Sequence, residues 1–165
     1  MHALKLDFEQ AQRFIATLKK KKGDIRTRAS YPSGHPLQSS DSGRKGKAVK
    51  AEIEDWQSQG RGVYIVINAG GDTDSEITSC IAIFCEWDDK PKDWQVSAWK
   101  ELGLPEPTIQ VDTGGKSIHN YWVFNDPISV DDWKSLQTRL LEYADAARSL
   151  KNPSRVMRLP GTYHI

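Results

Sequence analysis

Apolar positions recur at helical spacing over residues 7–22, DFEQAQRFIATLKKKK, where Phe8, Ala11, Phe14, Ile15 and Leu18 share one face. Asp7 and Gln10 have the spacing of a capping box, and Gly23 marks the end. DIRTRAS, residues 24–30, reads as a short strand. Residues 31–46, YPSGHPLQSSDSGRKG, break the pattern with Gly, Pro and Ser. They predict a mobile loop, long for a compact domain and therefore a candidate for function. A second helix is expected over 47–58, with Val49, Ile53 and Trp56 inward and Gly60 as its stop. GVYIVIN, 62–68, is a continuous apolar run and predicts a buried strand, followed by a turn at AGGDTD.

From residue 78 the order of elements becomes informative. A strand over 78–87 is followed by a helix over 93–102, stopped by Gly103 and Pro105. A strand at 107–112, a Gly114-Gly115 turn and a strand at 117–124 come next. Ser129 and Asp132 open a helix to about 146, with Trp133, Leu136, Leu140 and Tyr143 inward, and a last strand lies at 154–159. The result is an α+β fold of order β-α-β-β-α-β over 78–160, the ferredoxin-like arrangement of RNA-recognition modules. In that arrangement the first and third strands are central and antiparallel, and the fourth flanks the first. The sheet is preceded by a smaller α/β lobe, giving a division at 1–61 and 62–165.

This order changes the meaning of FCEWDD, residues 84–89, where an apolar strand ends in acids. The acids are either turn residues or oxygen ligands for a divalent cation. Alternation sends Glu86 and Asp88 to one side of their strand and Ser117 and His119 to one side of theirs. The topology brings all four to one region, which favours a site.

Composition sets bounds around that picture. With 165 residues, 38% hydrophobic and 27% charged, the chain suits a single domain with a real core. No signal-peptide core or long apolar stretch suggests export or a membrane, so a cytoplasmic setting is expected. Cys80 and Cys85 fall on opposite faces of one strand and cannot bridge each other. The net charge of +1 hides an asymmetry. Residues 1–62 hold 13 Lys and Arg against 7 Asp and Glu, a net +6, and the remainder is −5. Basic runs at Lys19–Lys22 and around Arg44, Lys45 and Lys47 could serve phosphates or be solvated faces.

Three motifs resemble the catalytic domain of the archaeo-eukaryotic primase superfamily, in its primase-polymerase branch from plasmids, phages, mobile elements and CRISPR-linked loci. They are Glu86-Trp87-Asp88 at a strand end, Ser-x-His in GGKSIH (114–119), and RVMRL (155–159). The resemblance covers residues 62–162. The family pattern places a third acid seven residues before the first arginine, at position 147, where this chain has Ala147. The nearest acid is Asp145. The chain therefore reads as a form disabled at the third position, with Asp145 as the alternative ligand.

The resemblance implies template-directed nucleotidyl transfer from an NTP or dNTP to a primer 3′-hydroxyl, using two Mg²⁺ or Mn²⁺ ions. It implies Glu86 and Asp88 as metal ligands. Lys116, Ser117 and His119 would serve the triphosphate, helped by the Gly114 and Gly115 amides, and Arg155 and Arg158 would contact phosphates. The partners implied are a DNA primer–template and the nucleotide, with template held partly by Arg44, Lys45, Lys47 and Tyr31. A helicase or accessory primase region is expected beyond this stretch. Two other classes remain: a non-catalytic single-strand binder, which needs aromatics on an open sheet face, and a metal-dependent nuclease using the same acids.

Overall fold

The computed structural model describes residues 5–38 and 41–165. The chain divides into two compact units, one running to Val66 and taking in Val156–Ile165, the other Ile67–Arg155.

The first unit is built on a four-stranded antiparallel sheet of order β2-β1-β3-β7. Its strands are β1 (Arg26–Ser30), β2 (Ser42–Lys45), β3 (Gly62–Val66) and β7 (Val156–Arg158). Its helices are α1 (Phe8–Thr17) and α2 (Lys50–Ser58). Asp7 caps α1 by accepting from the Gln10 amide at 3.1 Å. The helix stops well before 22 because Lys19 adopts a left-handed conformation, φ 55°. Ala11, Phe14, Leu18, Ile53 and Trp56 form the core with Ala29, Val63, Ile65, Met157 and Leu159. Val49 is only half-buried. The expected loop over 31–46 ends in a strand, since β2 pairs with β1 from Lys45 to Ser42; positions 39–40 lie outside the described residues.

The second unit carries β4 (Cys80–Cys85), α3 (Lys92–Glu101), β5 (Ile109–Asp112), β6 (Ile118–Ile128) and α4 (Val130–Tyr143). Its sheet has three antiparallel strands in the order β4-β6-β5. The expected fourth strand is absent from it. Residues 156–158 instead pair with β3, Tyr64 opposite Arg158 and Val66 opposite Val156. The division expected at 61/62 shifts accordingly, because β3 and β7 both belong to the first unit's sheet.

The reason lies along the outer edge of β4. Trp133 Nε1 donates to the Ala82 carbonyl at 2.7 Å. Gln137 accepts from the Phe84 amide at 3.1 Å and donates to the Phe84 carbonyl at 2.7 Å. The Ala147 amide donates to the Glu86 carbonyl at 2.9 Å. Groups from α4 and the turn after it thus occupy backbone positions that a neighbouring strand would have used. The same contacts set the rotation of α4. Gln137 and Leu141 are buried beside Trp133 and Leu140, whereas Tyr143 is 63% exposed and Leu136 lies at the surface, against the expected inward face.

Candidate active site

Cys85 of β4 pairs with Asn120 of β6. Continuing that register by one and by three residues sets Glu86 opposite His119 and Asp88 opposite Ser117. The side chains meet as the register requires. His119 Nε2 lies 2.7 Å from Glu86 Oε2, and Ser117 Oγ donates to Asp88 Oδ1 at 3.1 Å. Both pairs belong to the same face of the sheet, so the four side chains form one row. Trp87, between the acids, points the other way. It is buried, donates from Nε1 to the Ala144 carbonyl at 2.9 Å, and stands edge-on to Trp94 at 5.1 Å.

The electrostatics favour a charged Glu86. Burial raises its pKa, but the hydrogen bond and charge of His119, a hydrogen bond from Ser117 and the charge of Arg155 outweigh burial and hold it below the ordinary value. His119 is itself buried, and its Nδ1 has no protein hydrogen-bond partner among the described residues.

Position 147 reaches this row through a specific turn. Asp145 follows the α4 C-cap with φ 48°, and the Ala146 amide donates to the Leu141 carbonyl at 3.0 Å. That is a Schellman ending, with Asp145 in the left-handed position that Gly, Asn and Asp tolerate best. The Ala147 amide then meets the Glu86 carbonyl. The Asp145 side chain is 89% exposed and pairs with Arg148 at 3.0 Å. The structure therefore brings residue 147 against the acidic strand end, and gives Asp145 a conformational reason to be acidic.

The GGKS turn is held from below. Gln95 of α3, fully buried, donates to the carbonyls of Lys90 at 2.8 Å and Lys116 at 3.0 Å, and accepts from the Ile118 amide at 2.8 Å. It ties the segment after Asp88 to the segment carrying Ser117. The Gly114 amide donates to Asp112 Oδ1 and the Gly115 amide to Thr113 Oγ1. Both are engaged within the turn, which corrects the expectation that they are open to a phosphate. Lys116 is exposed.

The remaining expected residues separate by unit. Arg155 belongs with the acids, where its charge acts on Glu86. Arg158 belongs to the first unit, with its guanidinium 5.0 Å from the Tyr64 ring centre and Nη2 donating to the Ile165 carbonyl. Arg44 is ion-paired with Glu52 at 3.3 Å, while Lys45 and Lys47 are exposed. Tyr31 is stacked on His35, 4.3 Å between centres, with Arg61 over its ring, so it is committed to partners within the chain. Within Lys19–Lys22, burial pushes Lys20 down to about 8. Phe84 and Tyr121 are fully buried, so the Glu86 face offers no stacking platform of the kind a single-strand binder uses. Sequence reasoning missed Gln95 and Gln137. The available signal for Gln137 was a polar residue inside the apolar stripe Trp133, Leu140, Leu141.

No family model and no curated protein matches the chain. Among solved structures, the AEP domain of the cyanophage S-2L primase-polymerase is 43% identical, with a TM-score of 0.87, over 98% of this chain and 85% of that one. The chain belongs to the primase-polymerase family. The fold of this primase-polymerase domain extends to the primase RepB', 15% identical with a TM-score of 0.63 over 93% of this chain and 49% of that one. It extends also to the polymerase domain of Mycobacterium tuberculosis ligase D in complex with DNA, 14% identical with a TM-score of 0.51 over 93% and 73%. Among the described residues of this primase-polymerase, no helix is long and apolar enough to cross a membrane.

Proposed function

We propose that the chain is a catalytic domain for template-directed nucleotidyl transfer, joining an NTP or dNTP to a primer 3′-hydroxyl on DNA. The observation that carries this reading is the row Glu86–His119 and Asp88–Ser117 with residue 147 clasped to the Glu86 carbonyl. Kinship with the cyanophage primase-polymerase supports it, and DNA is the partner in the ligase D complex.

Two carboxylates at one strand end, one of them held in its charged form, suit a hard divalent cation such as Mg²⁺ or Mn²⁺ that takes its other oxygens from phosphate and water. Such ions supply charge neutralisation at the attacking and leaving oxygens of an in-line displacement. The donor set fits one ion with a bound triphosphate; a second lacks its third carboxylate while position 147 is alanine. The chain's own groups then divide the work. Glu86 and Asp88 hold the cation, and His119 and Ser117 fix their orientation and face the triphosphate. Lys116 and Arg155 add positive charge for its phosphates. With Ala147 the reaction is impaired while nucleotide binding persists.

Primer extension on a labelled primer–template tests this, comparing the chain with Ala147→Asp and with Ala147→Asp carrying Glu86→Ala and Asp88→Ala. Extension by the aspartate form alone supports the reading. Equal extension by the present chain removes position 147 from the mechanism, and strand binding without extension by any form removes the polymerase assignment.

A further inference from the structure

Arg155 is held by its backbone alone. Its amide donates to the Asn152 carbonyl at 3.1 Å, and its carbonyl accepts from the Ile67 amide at 3.4 Å. Its guanidinium is close enough for its charge to act on Glu86, yet it makes no hydrogen bond or ion pair among the described residues. A half-buried arginine with open donors near a pair of carboxylates is available to an anion. Whatever fixes its place must therefore fix the turn before it, residues 152–154.

Two side chains from the segment between β3 and β4 do so, and all of these groups belong to the second unit. Asn68 is buried, donates to the Pro153 carbonyl at 3.1 Å and accepts from the Ile81 amide of β4 at 3.0 Å. It ties the turn to the strand that leads to Glu86. Asp74 works from the surface. One of its oxygens, Oδ1, accepts from the Ser154 amide at 3.0 Å, from Ser154 Oγ at 2.6 Å and from Asn152 Nδ2 at 3.3 Å. These bonds favour its charged form.

The loop that presents Asp74 is built tightly. Gly70, φ 127°, lets the chain fold back where a Cβ would stand 2.5 Å from the Glu76 carbonyl oxygen. A Cβ at Gly71 would collide with the Glu76 side chain. Glu76 in turn accepts from the Thr73 amide at 3.2 Å and the Thr73 hydroxyl at 2.7 Å, a capping box that closes the 3₁₀ turn Asp74–Glu76. Ala69 pairs with Ser79 and joins the ends of the loop. Asp74 itself is exposed, so what this construction serves through it is the turn before Arg155 rather than the core.

We propose that Asp74 is a positioning residue for nucleotide binding: it anchors the 152–154 turn so that Arg155 stands at the phosphates of the bound nucleotide, with Asn68 as the buried anchor of the same turn. This role rests on the Glu86 row being a nucleotide site.

Isothermal titration calorimetry of dATP in the presence of Mn²⁺, on the chain as it stands, tests it. Arg155→Ala should weaken binding about tenfold, the worth of a hydrogen bond to a charged group. Asp74→Ala should weaken it about fivefold by letting the turn and its arginine move. Asp74→Asn keeps the accepting oxygen without the charge and should bind within about twofold of the parent. Asp74→Ala placed in the Arg155→Ala background should cost no more than about twofold further, since the group it positions is gone. Asn152→Ala combined with Ser154→Ala cuts the side-chain bonds from the other end and should weaken binding about threefold, which keeps the test open if Asp74→Ala folds poorly. Binding at parental affinity by Asp74→Ala and by the Asn152/Ser154 form overturns the proposal. So does a loss that persists in full in the Arg155→Ala background, because Asp74 would then not act through Arg155. An Asp74→Asn form as weak as the alanine form also overturns it, since charge and not placement would be the cause. Arg155→Ala binding as the parent does overturns the role and leaves the nucleotide site standing, whereas absence of dATP binding by the parent overturns both.

Discussion

Ala147 donates its backbone N–H to the carbonyl of Glu86 at 2.9 Å. The bond uses no side chain of residue 147, so any residue there but proline reaches the acidic strand end by the same route. Ala147→Asp should therefore fold as the parent does and bind Mn²⁺ at least about tenfold more tightly, since it adds a direct carboxylate ligand and even outer-shell partners are worth about that much. Mn²⁺ titration by electron paramagnetic resonance checks this, and equal affinities would remove the third-carboxylate role.

Asp145 offers the contrasting case. Its left-handed conformation and its exposed pairing with Arg148 mark it as a helix-ending residue. Asp145→Gly should change stability by no more than about 1 kcal/mol in either direction, since relief of the left-handed conformation offsets a weak surface pair. Cation affinity should not move; a drop in Mn²⁺ binding would return Asp145 to the site.

Gln137 satisfies both backbone groups of Phe84 and the carbonyl of Leu150 from a fully buried position. Gln137→Leu keeps the volume and strands these groups, at a cost of about 2–4 kcal/mol. Urea denaturation measures it. Gln95→Leu should behave differently, raising KM for the nucleotide in the extension-competent Ala147→Asp background, because it frees Lys116 and Ser117 from the segment after Asp88. A loss of stability with KM unchanged would make Gln95 purely structural.

Asp74 gives a pH signature. The side-chain and backbone hydrogen bonds of Ser154 hold its carboxyl below 3.8. A depressed native pKa stabilises fully above the ordinary value and loses that contribution as pH falls through the native one. Thermal melts should show an acid loss below about pH 3.8 that Asp74→Asn lacks. Parallel acid limbs in the two proteins would contradict this.

Cys80 and Cys85 are buried and unbridged, and burial pushes both thiols up to about 12. Neither should react with iodoacetamide in the native state, and both should react after denaturation. A fast-reacting native thiol would show local opening of β4.

The convergence of the four side chains was legible where it followed alternation. Glu86 with Asp88 and Ser117 with His119 needed only the period of a strand and an antiparallel neighbour. The last strand was not legible, because its partner depends on which edge remains free, and the β4 edge is filled by Trp133, Gln137 and the amide of Ala147. Those are contacts between distant segments, and the one local sign of Gln137, its place within an apolar stripe, does not say which backbone groups it serves. Tyr143 misled for the opposite reason, since an aromatic at helical spacing reads as core while its hydroxyl reaches the Leu102 carbonyl at the surface. The Schellman turn fixes how far the chain travels after α4, which is why position 147 comes to lie at the Glu86 carbonyl.

Trp87 makes the acidic strand intolerant of slippage. A shift of one residue would turn both carboxylates toward the interior and thrust an indole into their place. The buried ring and its bond to Ala144 thus act as an indexing pin. Errors in placing the acids are excluded during folding, before any substrate arrives, and a misregistered molecule would be an unfolded one rather than a faulty enzyme.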